Sequence, residues 1–306
     1  MKQRKFTIQS DMDGLKLFGI RTEPDGEARG MVFFAHGMAE HKERYLPFME
    51  YLSDHGYVCC IHDHRGHGES VKSPEDLGYF YENGKEAIVE DLYQVIMTER
   101  ERFPDLKVFL FGHSMGSLVV RCFTKKYDDA IDGLIVCGSP SDNPATPAAI
   151  ALCKLLCLFR GDHAKGKLIH KLAFGSYLKD IEDPQTKNDW LSYNRANVTA
   201  YEHDPLCGFV FTLNGFLSLF GLIQDSYSLD GWQLKNPDLP VFFISGEEDP
   251  YRISKEAFES AVKTMRDAGY ASTKAKLYPR MRHEILNEGG KLMVYEDVLE
   301  LLDDWN

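Results

Sequence analysis

The chain has 306 residues, and its 47 Asp and Glu outnumber its 35 Lys and Arg, which gives a net charge of −12. This charge repels a phosphate backbone, so the composition disfavours a nucleic-acid-binding function. Hydrophobic residues make up 43% and charged residues 27%, which is typical of globular proteins and argues against disorder. A chain of this length buries a large core without disulfide or metal support.

Hydropathy and cysteine usage bear on the cellular location. The sequence has no apolar run of the roughly 18 residues that a membrane-spanning helix needs. Residues 1–10 are basic but lack the apolar stretch of a secretory signal. The seven Cys are scattered without a CxxC pair, which is typical of reduced thiols. We therefore expect a cytoplasmic protein.

Short apolar runs alternate with amphipathic stretches, a pattern typical of a mostly parallel α/β sheet covered by helices. The runs predict strands at 31–35, 57–61, 107–111, 134–137, 241–244 and 276–278. The intervening patterns predict helices at 45–55, 86–102, 117–127 and 293–304. Residues 141–234 contain helical patterns but no convincing strand. We therefore expect a core formed by 1–140 and 235–306, with 141–234 inserted as a helical cap over the carboxyl ends of the strands, where such sheets bind ligands.

The segment Gly112-His113-Ser114-Met115-Gly116 matches the G-x-S-x-G pattern of a nucleophile on a sharp turn. The pattern alone is weak, but here it directly follows the buried run 107–111 and directly precedes the predicted helix 117–127. Such a turn needs small flanking residues because a side chain there meets neighbouring backbone. We expect Ser114 to be the nucleophile, and the alternative is a glycine-rich turn with a capping serine.

Two backbone N–H groups are expected to form an oxyanion hole. The Met115 N–H lies at the predicted helix N-terminus, where the helix dipole favours negative charge. The second donor in this architecture comes from a loop after an early strand. The predicted strand 31–35 leads directly into His36-Gly37-Met38, so Met38 is the candidate donor, with Gly37 letting the backbone approach the substrate.

A serine nucleophile needs a base and an orienting carboxylate, and in this architecture they follow it in the order acid, then histidine. Asp249 follows the predicted strand 241–244 and precedes a proline, which makes it the best acid; Glu247 and Glu248 are its rivals. His283 lies in a loop between the last predicted strand and the last helix, and we expect it to be the base.

Two metal-binding patterns are incomplete. The segment 62–67 (HDHRGH) is similar to HxHxDH, but Gly66 stands where that motif has an aspartate. The segment 283–287 (HEILN) begins like HExxH, but Asn287 stands where the second histidine is needed. No GxGxxG follows a predicted strand and no P-loop pattern occurs, so we expect neither a metal nor a cofactor.

These motifs resemble those of the α/β-hydrolase superfamily, and more closely its monoacylglycerol lipase and lysophospholipase branch, which also carries the label serine aminopeptidase S33. Residues 36–45 resemble its HGxxEHxxRY motif, with Ala39 in place of a common glycine. Residues 63–70 resemble its D-x-RGHGxS turn, and GHSMG and HEILNE match its nucleophile and histidine motifs. The resemblance covers 36–288. It implies a Ser-His-Asp esterase without a cofactor that acts on single-chain lipid esters.

The cap region suggests how such a lipid is bound. Residues 148–159 are apolar almost throughout, and the segment from Lys154 to Lys179 carries six basic residues and one acid. We expect this region to contact anionic membranes or micelles peripherally, at the inner membrane surface; the alternative is a packed helix with a solvated basic face. A second apolar stretch, 209–223, is expected to line an acyl pocket with Phe209 and Phe216, beside Gly37 and His113 near the nucleophile.

The expected function is hydrolysis of monoacylglycerol or lysophospholipid through an acyl-enzyme. A peptidase that removes N-terminal residues, similar to proline iminopeptidase, would use the same triad but needs acidic side chains to bind the substrate ammonium. The cap offers such acids at Glu182, Asp183, Asp189, Glu202 and Asp204. An acyltransferase and a catalytically inactive binding module are further alternatives. The head group, the acyl chain length and the oligomeric state are left open.

Overall fold

The computed structural model describes residues 1–179 and 181–306, and a twisted sheet forms its centre. In these residues the sheet has eight strands in the order β1-β2-β4-β3-β5-β6-β7-β8. The first two strands pair antiparallel with each other and β2 pairs antiparallel with β4, and all other pairs are parallel. The strand bounds are β1 (Lys2–Gln9), β2 (Lys16–Glu23), β3 (Gly30–Ala35), β4 (Tyr57–His62), β5 (Lys107–His113), β6 (Gly133–Cys137), β7 (Val241–Gly246) and β8 (Lys274–Tyr278).

The α/β-hydrolase fold expected from the sequence is confirmed, with a strand at each of the six predicted positions. The sequence analysis did not predict the hairpin of β1 and β2. Most side chains of β1 are exposed, so this edge strand lacks the continuous apolar run by which the buried strands were recognised. The signal that remained was the alternation of Phe6 and Ile8 with polar residues, followed by a turn that ends at Gly14.

Helices cover both faces of the sheet because successive side chains of its buried strands point to opposite sides. In β3, Met31 and Phe33 pack into a core cluster with residues of α2, α3 and α8, whereas Val32 and Phe34 pack into a second cluster with residues of α1 and α9. The helices of the described residues outside 141–234 are α1 (Leu46–Asp54), α2 (Gly84–Arg100), α3 (Met115–Tyr127), α8 (Lys255–Asp267) and α9 (Lys291–Trp305).

The stretch between β6 and β7 is helical in its described part. It contains α4 (Thr146–Arg160), α5 (Lys167–Phe174), α6 (Arg195–His203) and α7 (Leu213–Tyr227). The helix α7 packs on both α2 and α3, so it joins this stretch to the core. We propose that 141–234 forms one inserted cap on a core made of 1–140 and 235–306. Among the described residues, no helix has the length and apolar character needed to cross a membrane.

Candidate active site

Ser114 lies on the sharp turn between β5 and α3. Its backbone has φ 54° and ψ −120°, a region that residues other than glycine rarely adopt. The two flanking glycines are sterically required: a Cβ on Gly112 would lie 2.5 Å from the carbonyl oxygen of Gly116, and a Cβ on Gly116 would lie 2.0 Å from that of Ala35. The turn thus presents the Ser114 side chain at the carboxyl end of the sheet.

The structure brings together the three side chains expected to form a triad. The Nε2 atom of His283 lies 2.8 Å from Oγ of Ser114, and its Nδ1 atom lies 2.8 Å from Oδ2 of Asp249. The Asp249 carboxylate also accepts hydrogen bonds from the Tyr251 amide and from Oγ of Ser245. With Nδ1–H donated to Asp249, Nε2 is free to accept the serine proton.

The two rival carboxylates do not reach this histidine. Glu247 and Glu248 are exposed, whereas Asp249 is buried. The backbone turns between them because Asp249 caps the short 3-10 helix Pro250–Arg252 through the Tyr251 amide. The proline noted in the sequence therefore marks the point at which the acid is directed inward.

The loop after β3 lies beside Ser114. Met38 and Gly37 line the cavity above the nucleophile, and the buried Met115 is the first residue of α3. Ala39 adopts φ 53°, in the left-handed region, which accounts for the glycine common at this position in the family motif. The Ala39 amide donates a hydrogen bond to Nε2 of His67, at 3.2 Å, so the loop is held by the segment 62–67.

The buried Glu40 side chain holds the same loop through a hydrogen bond to its backbone. Its Oε1 accepts hydrogen bonds from the Gly37 amide at 2.5 Å and from the Tyr45 hydroxyl at 2.9 Å. Burial by itself would raise the pKa of the Glu40 carboxyl, but Arg44 and His113 outweigh it and hold that pKa well below its usual value. Glu40 is therefore a buried anion that fixes the position of Gly37. In the sequence Glu40 was recognisable only as part of the HGxxEHxxRY motif, with no predicted role in the site.

His113 connects the nucleophile turn with the histidine loop. Its Nε2 lies 3.2 Å from the carbonyl oxygen of His283, and its Nδ1 lies 3.5 Å from Oε1 of Glu40. Burial lowers the pKa of His113, but the hydrogen bond and charge of Glu40 have the larger combined effect and raise it. The predicted substrate-binding residue His113 thus lies in the cavity wall and also contacts the backbone of the candidate base.

A cavity of about 350 Å³ opens above Ser114 and is lined by residues of the core and of 141–234. Trp190 and Tyr251 form its wall beside His283, with ring centroids each 5.1 Å from the imidazole. No sequence signal had singled out these two residues. The other lining residues from 141–234 are apolar or basic, apart from a few neutral polar positions: His170, Lys171, Phe174, Gly175, Leu178, Lys187, Asn188, Leu191, Tyr201, Gly208 and Phe209.

Phe209 lines this cavity as expected, but Phe216 is not among its lining residues. The ring of Phe216 is fully buried and packs against Phe211 and Phe220. Its position on α7 directs the ring toward Gly166, just before α5, where a Cβ on that glycine would lie 2.7 Å from the Phe216 ring. Apolar composition alone did not distinguish a residue of the core from one of the cavity wall.

The segment 62–67 has a structural role. Asp63 accepts a 2.7 Å hydrogen bond from the ammonium group of Lys42 as well as the Lys42 amide, and Arg65 pairs with Asp91 at 2.8 Å. His62 and His64 are fully buried, with no hydrogen-bond partner for their ring nitrogens among the described residues. Burial lowers the pKa of His62 to about 3, so its imidazole is neutral at physiological pH.

Comparisons with known proteins agree with this architecture. The model of the family described as "Serine aminopeptidase, S33" matches residues 26–290. The monoacylglycerol lipase of Mycolicibacterium smegmatis is 28% identical over 276 residues, which cover 90% of this chain and 88% of that protein. The monoglyceride lipase homolog of Monkeypox virus is 35% identical over 217 residues, covering 70% of this chain and 68% of that protein.

A solved structure is similar over almost the whole length. The thermostable carboxyl esterase from Bacillus coagulans, determined in complex with glycerol, superposes with a TM-score of 0.89 at 25% identity and covers 99% of both chains. The fold, the match of the family model over 26–290 and the similarity to the viral homolog lead to one conclusion. This chain belongs to the serine aminopeptidase S33 family of α/β-hydrolases, in its monoglyceride-lipase-like branch.

Proposed function

We propose that this protein hydrolyses carboxylic esters of single-chain lipids, monoacylglycerol or lysophospholipid, through an acyl-enzyme on Ser114. The observation that carries the proposal is the hydrogen-bonded chain Ser114–His283–Asp249 beneath a cavity with many aromatic and aliphatic side chains. The names of the two relatives, a monoacylglycerol lipase and a monoglyceride lipase homolog, support the same class of substrate.

In this mechanism Ser114 attacks the ester carbonyl while Nε2 of His283 takes its proton. The Met38 and Met115 amides donate to the developing oxyanion, and Asp249 stabilises the imidazolium. His283 then protonates the leaving alcohol. Water, deprotonated by the same nitrogen, cleaves the acyl-enzyme and releases the fatty acid. The alkyl chain of the acyl group lies along Phe174, Leu178 and Phe209, where burial of apolar surface favours binding.

The disposition of carboxylates favours an ester over a peptide with a free N-terminus. Glu40 and Glu284 line the cavity, but both are paired with the guanidinium of Arg44, at 2.6 and 2.7 Å. The cap acids named in the sequence analysis are not among the cavity-lining residues. Asp189, for example, pairs with Arg195 and caps its own loop. A substrate ammonium would therefore find no unpaired carboxylate among the lining residues.

The test is product analysis after incubation with monoacylglycerol, lysophosphatidylcholine and a peptide with an N-terminal proline. We expect fatty acid with glycerol or with glycerophosphocholine, and no product from Ser114→Ala. Transfer of the acyl chain to added alcohol in preference to water would identify an acyltransferase. Cleavage of the peptide alone would overturn the proposal, and so would full ester turnover by a Ser114→Ala protein that melts like wild type.

We further propose that the cap contacts the inner membrane surface peripherally. The helix α4 leaves Leu158 and Phe159 about four-fifths exposed, at 82% and 80%, and Leu172 of α5 is 66% exposed. The same two helices carry exposed basic residues: Lys154, Arg160, Lys167 and Lys171. Helices that expose both apolar and cationic side chains bind anionic interfaces through both burial and charge.

Lys165, counted among the cap cations from the sequence, has a different role. Its ammonium group donates a hydrogen bond to the carbonyl oxygen of Leu77, and the residue is only partly exposed. Lys165 therefore connects the cap to the core through this hydrogen bond. Its substitution would change the stability of the protein as well as its charge, so it is a poor test of membrane binding. Lys154 and Lys167 are exposed and are the appropriate pair for charge reversal.

Sedimentation with vesicles of phosphatidylcholine and phosphatidylserine tests the membrane contact. We expect Leu158→Ser/Phe159→Ser and Lys154→Glu/Lys167→Glu each to reduce binding, the second only on anionic vesicles. The control is Leu292→Ser/Met293→Ser, which removes two exposed apolar side chains from α9, outside the cap. Equal binding by all three variants would refute the contact.

A further inference from the structure

The loop after β3 meets a cap segment, Tyr201–Gly208, at the rim of the candidate active site. The Gly208 amide donates to the carbonyl oxygen of Ala39 at 2.9 Å, and the Tyr201 hydroxyl donates to the same oxygen at 3.0 Å. His41, two residues further along this loop, is buried against the cap segment. This contact brings a histidine of the core to an acid and a thiol of the cap.

Three different donor side chains converge at this junction. The Nε2 atom of His41 lies 2.8 Å from Oδ2 of Asp204. One donor atom each from His41, Asp204 and Cys207 lie within 4.8 Å of one another. Imidazole nitrogen, carboxylate oxygen and cysteine sulfur are the donors that bind Zn²⁺ in proteins.

The two cap donors come from one tight turn. The Cys207 amide donates to the carbonyl oxygen of Asp204 at 3.0 Å, and the Leu206 amide donates to Oδ1 of Asp204 at 2.8 Å. The Leu206 amide engages Oδ1, while Oδ2 faces His41. Two donors separated by two residues on a turn have the spacing of ligand pairs in zinc sites.

His41 already has the outer partner that a ligating histidine uses. Its Nδ1 atom lies 2.7 Å from Oε2 of Glu43. A carboxylate on one ring nitrogen orients the imidazole and increases the basicity of the other nitrogen toward a metal. The Asp204 side chain is 32% exposed, so an ion has access from solvent.

We propose that His41, Asp204 and Cys207 bind one Zn²⁺ ion, with water as the fourth ligand. In a tetrahedral site with ordinary zinc bond lengths the donor atoms lie about 3.5 Å apart, so the three side chains move by on the order of 1 Å. The ion takes the place of the Nε2 proton of His41 and of the Cys207 thiol proton, and both protons pass to solvent. The carboxylate of Asp204 needs no proton change.

An ion at this position would tie the cap segment to the loop that carries Met38. It would lie beside the cavity and take no part in ester cleavage, so the site is independent of the proposed reaction. Because only the folded chain brings the three donors together, Zn²⁺ raises the melting temperature, and the rise grows with the logarithm of the free Zn²⁺ concentration above Kd.

Co²⁺ and Zn²⁺ titrations of the chelator-treated full chain test the proposal. We expect one equivalent of Co²⁺ to produce the visible bands of a tetrahedral ion and a thiolate-to-cobalt charge-transfer band. One equivalent of Zn²⁺ abolishes both. Cys207→Ser removes the charge-transfer band and weakens zinc binding, measured against a chromophoric chelator, by at least about tenfold. Cys157→Ser, which alters another partly exposed thiol, leaves both readouts unchanged.

Three further variants complete the experiment. Asp204→Asn weakens zinc binding with the charge-transfer band retained, and Glu43→Gln weakens it by about 10- to 100-fold. Ser114→Ala binds both ions like wild type, which separates this site from the proposed catalysis. The proposal is overturned if wild type gives no charge-transfer band, if Cys207→Ser retains it, or if Cys157→Ser loses it equally. Melting curves without metal confirm that each variant is folded.

Discussion

Glu40 and Glu284 share the guanidinium group of Arg44, which lies 2.6 Å from Oε2 of Glu40 and 2.7 Å from both carboxylate oxygens of Glu284. Glu40 binds the Gly37 amide, and Glu284 directly follows His283 in the chain. One buried cation therefore connects the loop expected to form the oxyanion hole with the loop that carries the candidate base. Burial raises the pKa of the Glu284 carboxyl, but the charge and hydrogen bonds of Arg44 lower it by more, so the net shift is downward.

Removing that cation should destabilise the protein strongly. Arg44→Met removes the guanidinium shared by two buried carboxylates, and we expect the free energy of unfolding to fall by about 3–5 kcal/mol. Urea denaturation measures the change. The control is Arg29→Met, which removes an exposed pair with Asp303 and should cost at most about 1 kcal/mol. Similar losses for the two variants would contradict the role of Arg44.

The candidate acid can be tested without removing volume. Asp249→Asn keeps the size of the side chain but stabilises the wrong tautomer of His283, so kcat for a soluble ester should fall about 10⁴-fold. Glu248→Gln alters an exposed neighbour that makes no hydrogen bond to His283. It should leave kcat within a factor of about two, because an exposed charge interacts only weakly with the imidazolium. The assignment fails if Glu248→Gln is the variant that loses activity.

The nucleophile turn makes a prediction about stability. Gly116→Ala places a methyl group 2.0 Å from the Ala35 carbonyl oxygen, so β3 and α3 must separate. We expect a loss of about 3 kcal/mol or more in the free energy of unfolding. Gly289→Ala meets nothing within 4 Å and should be neutral. A Gly116→Ala protein as stable as the Gly289→Ala protein would show that the turn relaxes freely.

The buried histidines predict a loss of stability in mild acid. Burial lowers the pKa of His62 to about 3 in the folded chain, whereas its value in the unfolded chain is about 6.5. The unfolded state therefore binds one more proton between these values. Above pH 6.5 His62 is neutral in both states and does not reduce the free energy of unfolding. As the pH falls from 6.5 toward 3, the free energy of unfolding decreases by about 1.4 kcal/mol per pH unit through this residue.

The variant His62→Leu should reduce this dependence, because it removes a titrating ring whose nitrogens have no hydrogen-bond partner in the described structure. Unfolding free energies measured between about pH 6.5 and 5 isolate the histidine effect, since unfolded glutamates remain mostly ionised there. His203→Gln, at an exposed position, serves as the control. An unchanged slope for His62→Leu would disprove this source of acid sensitivity.

The site residues differ in how well local sequence predicted them. Ser114, Asp249 and His283 lie directly after buried strands or beside motifs, and the order of strand and turn placed all three at the carboxyl edge of the sheet. Phe216 was predicted to line the cavity from composition alone, but its position on α7 places the ring against Phe211 and Gly166 in the core instead. Helical periodicity identifies an apolar face of a helix, but it does not identify the segment of the chain that packs against that face.

Contacts between distant segments were the least predictable feature. The rings of Trp190 and Tyr251 contact each other and the imidazole of His283, although the two residues are 61 positions apart in the chain. The cluster of His41, Asp204 and Cys207 depends in the same way on how the cap meets the loop after β3. No local pattern encodes such distances.

The sequence by itself determined the α/β-hydrolase architecture, because strands and turns arise from short-range alternation of apolar, polar and glycine residues. It also determined the family, since the motifs around Ser114 and His283 are local. The tertiary structure alone decided which residues of 141–234 line the cavity and which carboxylates pair with Arg44. It also decided that Lys165 donates a hydrogen bond to the Leu77 carbonyl oxygen instead of facing solvent. Those outcomes depend on packing between segments far apart in the chain, where one rotation of a helix exchanges a buried face for an exposed one.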